Sequence, residues 1–214
     1  IRSNYLQDPS AAIYEKARSL YEDLSQDLNY NVMFSPRGVI MLAQTQSEVR
    51  GYVRTAHANA LQGVETRFID AQKVKDLCPI MNIDGPRYPV LGGLYQPRGG
   101  TARHDAVAWG YARACSAMGM DIIQQCEVKG VRSEGGRVVG VETTKGYIGT
   151  KKLGLVVAGH SAQLAGMAGF RLPIEAVALQ ALVSEPIKPC MDVVVMANTV
   201  HGYMSQSDKG EMVI

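Results

Sequence analysis

From Pro9 to Leu28, apolar side chains recur at three- and four-residue spacing: Ile13, Ala17, Leu20, Tyr21, Leu24 and Leu28. That period marks one face of a helix, and Asp8-Pro9 supplies a start signal. Asn31–Phe34 and Gly38–Ala43 read as the arms of a hairpin turned at Ser35-Pro36-Arg37-Gly38. A second helix is predicted from a Ser47 cap to about Leu61, with Val49, Val53, Ala56 and Ala60 on one face. A strand at Thr66–Ile69 and a helix at Ala71–Leu77, stopped by Pro79, come next. The prolines and glycines of Asn82–Gly93 predict a loop.

Leu94–Gln96 returns as a strand, and Arg98-Gly99-Gly100-Thr101 turns the chain into a helix from about Arg103 to Met118. Asp121–Gln125 is a predicted strand. Glu134-Gly135-Gly136 and Lys145-Gly146 then mark two successive hairpins with valine-rich arms. Leu153–Val157 is short and apolar, which suits a buried central strand. Gly159-His160-Ser161 leads into a further helix, and from Pro173 onward the pattern is strand and turn alone. Helices and strands do not alternate cleanly. The order predicts an α+β fold, an antiparallel-sheet domain interleaved with part of a three-layer nucleotide-binding domain.

The formal net charge is only +2 over 214 residues. That is no electrostatic footprint for nucleic acid, which calls for a clustered basic face. The most apolar stretches, Val177–Val183 and Val193–Ala197, have strand length and cannot span a bilayer. No signal peptide is expected from the opening residues. Cys78, Cys115, Cys126 and Cys190 form no CxxC pair, which argues against a zinc site or a disulfide framework and for reduced thiols in a cytoplasmic protein. The chain opens on Ile1 without a methionine and stops at Val213-Ile214 inside a predicted strand, so an interior piece of a longer protein is expected.

No GxGxxG follows a strand, and no Walker loop, HExxH or GxSxG is present. Gly99-Gly100-Thr101 ahead of a helix can turn N–H groups toward an anion or can simply form a turn. His104 falls in the first turn of that helix, beside Asp105 and between Arg98 and Arg103. The helix dipole and the two arginines disfavour its protonation, leaving a nucleophilic imidazole; an exposed first-turn residue has the same pattern. His160 follows a predicted strand at an end where ligands approach α/β sheets, or it marks a simple turn. His57 reads as a surface residue, His201 as a strand residue of either face, and Trp109 and Tyr111 as packing. Residue chemistry alone leaves the function open.

Five dispersed segments narrow it: IRSNYL at the start, QPRGGTARHDAVAWGYARA, VVAGHSAQLAGMAGF, LPIEAVALQALVSEP and HGYMSQSDKGEMV. Together they resemble the β subunits of heterotetrameric sarcosine oxidases, within the large family of FAD-dependent amine and amino-acid oxidases. The resemblance implies oxidative demethylation of sarcosine to glycine, with an imine hydrolysed or passed to tetrahydrofolate. It implies FAD held noncovalently, FMN tethered to the histidine of the GGxARHD stretch, here His104, and electrons passing from FAD to FMN to oxygen. It assigns Arg2 to the substrate carboxylate, Tyr203 to the substrate side, the Val128 backbone to the adenine of FAD, and Gly159 to a strand end near FAD. It also implies α, γ and δ partner subunits, one of which carries NAD. Residues 30–97 and 173–214 would then be portions of the substrate domain, and 98–172 part of the FAD-binding domain. The family's amino-terminal glycine fingerprint and its carboxyl-terminal lysine have no counterpart in these residues, so the chain alone is expected to be inactive. Two alternatives are a dehydrogenase of dimethylglycine or another secondary amine in the same family, and a non-catalytic interaction subunit that keeps the fold without flavin.

Overall fold

A computed structural model describes residues 1–214. In chain order the elements are α1 (Asp8–Asp27), β1 (Val39–Ala43), α2 (Gln46–Leu61), β2 (Arg67–Asp70), α3 (Ala71–Leu77), β3 (Gly92–Gln96) and α4 (His104–Ala117). They continue as β4 (Val128–Glu134), β5 (Arg137–Thr143), β6 (Gly146–Gly149), α5 (Ser161–Met167), β7 (Val183–Pro186), β8 (Val194–Ala197), β9 (Gly202–Gln206) and β10 (Glu211–Val213). Two compact units result, Ile1–Met120 with Ala181–Ile214, and Asp121–Gln180. No helix is long and apolar enough to cross a membrane.

The larger unit is built on a seven-stranded sheet in the order β2-β3-β1-β8-β9-β10-β7. Every neighbouring pair is antiparallel except β1 and β8, which run parallel. β1 is buried on both faces, so it takes the middle of the sheet. The hairpin expected at 31–43 therefore does not form: β1 pairs with the distant β3 and β8 instead. Its proposed partner arm is diverted. The Val32 N–H donates to Ser25 Oγ at 3.1 Å, Met33 sits at φ 54°, and Ser35 bridges Thr101.

Period-two alternation divides the sheet's side chains between two faces. On one face Ile40, Leu42 and Val195 pack with Val74 and Cys78 from the α3 side. On the other, Leu94 and Ala43 meet Tyr52 and Ala56 of α2. The buried positions of α2 are Tyr52, Thr55, Ala56 and Asn59, displaced from the face predicted through Val53 and Ala60. Its cap is Thr45 rather than Ser47. Thr45 is extended, the Glu48 N–H donates to Thr45 Oγ1 at 3.2 Å, and Glu48 Oε2 accepts from the Thr45 N–H at 3.0 Å. That reciprocal pair is a capping box, which needs the acidic residue three positions after the cap.

α1 departs furthest from its apolar pattern. Its buried residues are Ala11, Arg18 and Leu24, while Ile13 and Leu20 are 69% and 50% exposed. Arg18 itself is only 1% exposed. Its Nε donates to Glu15 at 3.0 Å and its Nη1 to Glu22 at 2.7 Å, and its Nη2 also pairs with Glu15. Polar partners one turn away on either side let this guanidinium replace an apolar residue in the interface. Gln206 does similar work: its Oε1 accepts from the Cys190 and Met191 N–H groups, and its Nε2 donates to the Lys188 and Gly210 carbonyls. The loop before β8 is thereby tied to the β9–β10 turn.

In the smaller unit β4, β5 and β6 form an antiparallel three-stranded sheet, and both predicted hairpins are present. Gly135 and Gly136 hold φ of 56° and 75°, the left-handed values that such a two-residue turn requires. The strands expected at Asp121–Gln125 and Leu153–Val157 carry no ladder. A strand exists only through a partner, and none of the 214 residues pairs with either segment; Val156 is 93% exposed.

Gly100 shows how closely the larger unit is packed beside α4. A Cβ there would lie 1.9 Å from the Ser35 carbonyl oxygen. Gly100→Ala should destabilise the fold by about 1–3 kcal/mol or more in urea melts. Gly154→Ala, which meets nothing within 4 Å, should shift stability by less than about 0.5 kcal/mol.

Candidate functional site

The apolar positions of β8, β9 and β10 on the α2 face of the sheet are not covered by that helix. They floor a cavity of about 940 Å³ within the larger unit, with Val194, Met196, Tyr203 and Val213 among its lining. The amino-terminal residues Ile1 and Arg2 and the run Gly100–Asp105 also line it, as does the β9–β10 turn at Ser207–Lys209. Arg2, His104 and Tyr203, separated by up to about two hundred positions in the chain, thus border one space.

Two glycines make the wall beside His104 possible. The Gly100 N–H donates to the Ile1 carbonyl at 2.9 Å, and the Thr101 N–H to the Ser35 carbonyl at 3.1 Å. The Gly99 N–H turns back on Gln96 at 3.3 Å. All three N–H groups therefore serve backbone carbonyls, and the turn reading of Gly99-Gly100-Thr101 holds in place of the anion-binding one. His104 is the first residue of α4 and is exposed. The two arginines near it in sequence are both paired with carboxylates: Arg98 with Glu22 at 2.6 Å and Arg103 with Asp105 at 2.6 Å. The hydrogen bond from Arg103 holds the Asp105 carboxyl below its usual range. The strong positive surroundings expected of His104 are thus largely compensated.

Arg2 is half-buried, with its guanidinium 4.2 Å from the centre of the Tyr5 ring. Its Nη1 donates to Asn4 Oδ1 at 2.9 Å and no carboxylate pairs with it. Tyr203 stands opposite Met196 across the β8–β9 ladder and is 46% exposed. Val128 opens β4 opposite Thr143, and Gly159 lies in the short 3₁₀ turn before α5. Both belong to the smaller unit.

Met196 and Ser205 were not singled out from the sequence, although the i, i+2 relation of Val194 to Met196 and of Tyr203 to Ser205 flags a shared face. Tyr52 and Asn198 were missed for want of any local signal. The Tyr52 hydroxyl accepts from Asn198 Nδ2 at 3.1 Å across a chain separation of 146 residues. Burial pushes the Tyr52 phenol up to about 12, the Glu48 charge adding to it and Arg2 opposing it.

The family model described as FAD dependent oxidoreductase matches residues 1–214. The chain belongs to that family. It is 77% identical over its whole length to a protein named sarcosine oxidase subunit beta from Rhodobacter capsulatus, of which it covers 52%. It is 52% identical to a protein of the same name from Arthrobacter sp, covering 53% of it. The chain thus spans about half the length of the curated relatives it matches. Among solved structures, the L-proline dehydrogenase from P. horikoshii superposes with a TM-score of 0.87 at 21% identity, covering 100% of this chain and 56% of that one. The chain accordingly shares the fold of these oxidoreductases, and its mixture of helices and sheets agrees with the α+β class that the sequence order predicts.

The Tyr52 phenol supplies a test of the packing beside Arg2. Its folded value lies above the ordinary one near 10, so its contribution to stability is complete below pH 10 and is lost as the pH rises toward 12. Denaturant midpoints should fall over that interval in the parent chain, and Tyr52→Phe should flatten the fall.

Proposed function

We propose that this chain supplies the substrate side of a flavin-dependent sarcosine oxidase β subunit. The observation that carries the reading is the single cavity bordered by Arg2, Tyr203 and His104; the likeness to proteins named sarcosine oxidase subunit beta supports the choice of substrate. The portions at 30–97 and 173–214 then form the substrate domain, and 98–172 part of the FAD-binding domain, where Val128 and Gly159 would approach FAD.

The residues fit a flavin. The apolar floor of Val194, Met196 and Val213 suits a flat aromatic ring system, and His104 offers an exposed imidazole at the wall. Arg2 has no carboxylate partner of its own, and its forked N–H groups match a substrate carboxylate. In this reading Arg2 binds the carboxylate, Tyr203 borders the N-methyl group, and His104 is the attachment point of FMN. Bound flavin would supply the redox chemistry, a hydride leaving the N-methyl carbon for FAD and electrons passing to FMN and oxygen. The chain's own work is orientation and the exclusion of water above the sheet. Sarcosine, tetrahydrofolate and the α, γ and δ subunits are the proposed partners, with NAD in one of those subunits. Four free cysteines accord with a cytoplasmic setting.

In the natural full-length protein assembled with its partners, flavin absorbance should remain with the β polypeptide after denaturation, and His104→Ala should abolish that fraction while sparing noncovalent FAD. Persistence of covalent flavin in His104→Ala rules out the tether. Steady-state rates on sarcosine should exceed those on dimethylglycine; the reverse order would reassign the substrate.

A further inference from the structure

Arg2 is fixed at its backbone, while its guanidinium rests on the Tyr5 ring and has no carboxylate partner. On one side, the Ile1 carbonyl accepts from the Gly100 N–H at 2.9 Å. On the other, the Ser3 N–H donates to Gln96 Oε1 at 2.9 Å. Both peptide groups flanking residue 2 are therefore held, while its guanidinium makes one hydrogen bond, to Asn4, and keeps its other N–H donors.

The Ser3 attachment continues inward. Gln96 Nε2 donates to Ser3 Oγ at 2.6 Å, and Ser3 Oγ donates to the Glu15 carboxylate. Glu15 in turn receives Arg18, whose other end holds Glu22, and Glu22 receives Arg98 at 2.6 Å. Ser3 and Gln96 are 0% and 1% exposed, so water cannot replace the two bonds between them. Gln96 also sits opposite Val39 in the β1–β3 ladder, and Val39 lines the cavity. A continuous path thus joins the charge cluster on α1 to the residue beside Arg2 and to the cavity floor. Burial by itself would raise the Glu15 carboxyl, but the hydrogen bonds from Arg18 and Ser3 outweigh it and hold the group ionised.

We propose that Ser3, Glu15, Arg18 and Gln96 are positioning residues for Arg2, fixing its backbone so that its free guanidinium edge meets a substrate carboxylate in the cavity; this rests on the carboxylate role given to Arg2 above. A fork that binds a carboxylate through two parallel hydrogen bonds tolerates little displacement, so loosening its backbone weakens carboxylate binding without touching the groups around the N-methyl carbon.

The test uses the natural full-length protein with sarcosine as substrate and acetate as a competitive inhibitor. Ser3→Ala and Glu15→Gln should each raise the KM for sarcosine and the Ki for acetate about ten-fold or more, leaving kcat within about two-fold. Ser3→Ala serves as the milder variant if Glu15→Gln does not fold. Arg2→Ala is the reference. If Arg2→Ala leaves KM and Ki unchanged, the carboxylate role itself fails, and the positioning proposal with it. If Arg2→Ala raises both but Ser3→Ala and Glu15→Gln lower only thermal stability, the carboxylate role stands and the positioning proposal is overturned.

Discussion

The buried guanidinium of Arg18 is the constraint on which this arrangement depends. A helix normally turns an apolar stripe inward, yet α1 buries Arg18 and leaves Ile13 and Leu20 in solvent. An arginine with 2% of its side chain exposed is tolerable only because Glu15 and Glu22 reach it from adjacent turns while keeping 25% and 31% of their own side chains in water. Arg18 and Glu15 both lose water, and the hydrogen bonds and ion pairs among the three groups offset that cost. Removing either partner of a buried pair typically costs about 3–5 kcal/mol, so the network locks the rotation of α1. Through Ser3 and Gln96 that lock reaches the amino-terminal segment and the central strands.

The same segment forms one side of the cavity. A sheet with α2 over one end of a face leaves the strands at the other end uncovered, and the residues there alternate between apolar floor and polar edge. Close approach at Gly99 and Gly100 lets the Ile1–Ser3 segment and the start of α4 come together above that floor. Neither feature is chemical by itself. Together they set a guanidinium without a carboxylate partner, a tyrosine and an exposed imidazole around a space of about 940 Å³.

The local parts of the fold were legible in the sequence, and the long-range parts were not. α3 and both hairpins of the smaller unit lie where periodicity and glycine turns place them, because their determinants are within a few residues. The hairpin at 31–43 failed because strand pairing is decided by partners: β1 takes β3 and β8, whose sequence separation carries no local mark. Asp121–Gln125 and Leu153–Val157 failed for the converse reason, having strand composition but no partner in the chain. At the site, Arg2, Tyr203 and His104 came from family likeness, and their common cavity came only from the structure. The Arg18 network was invisible to pattern reading, since an apolar-stripe argument assigns arginine to solvent.

The central claim is that this cavity receives a carboxylate substrate beside a flavin. A crystal structure of the full-length protein with a carboxylate inhibitor measures it directly. The account predicts inhibitor oxygens about 2.7–2.9 Å from guanidinium nitrogens of Arg2, with Tyr203 at the far end of the molecule and flavin density joined to His104. A carboxylate bound away from Arg2, or an unmodified His104 beside flavin held elsewhere, would contradict it.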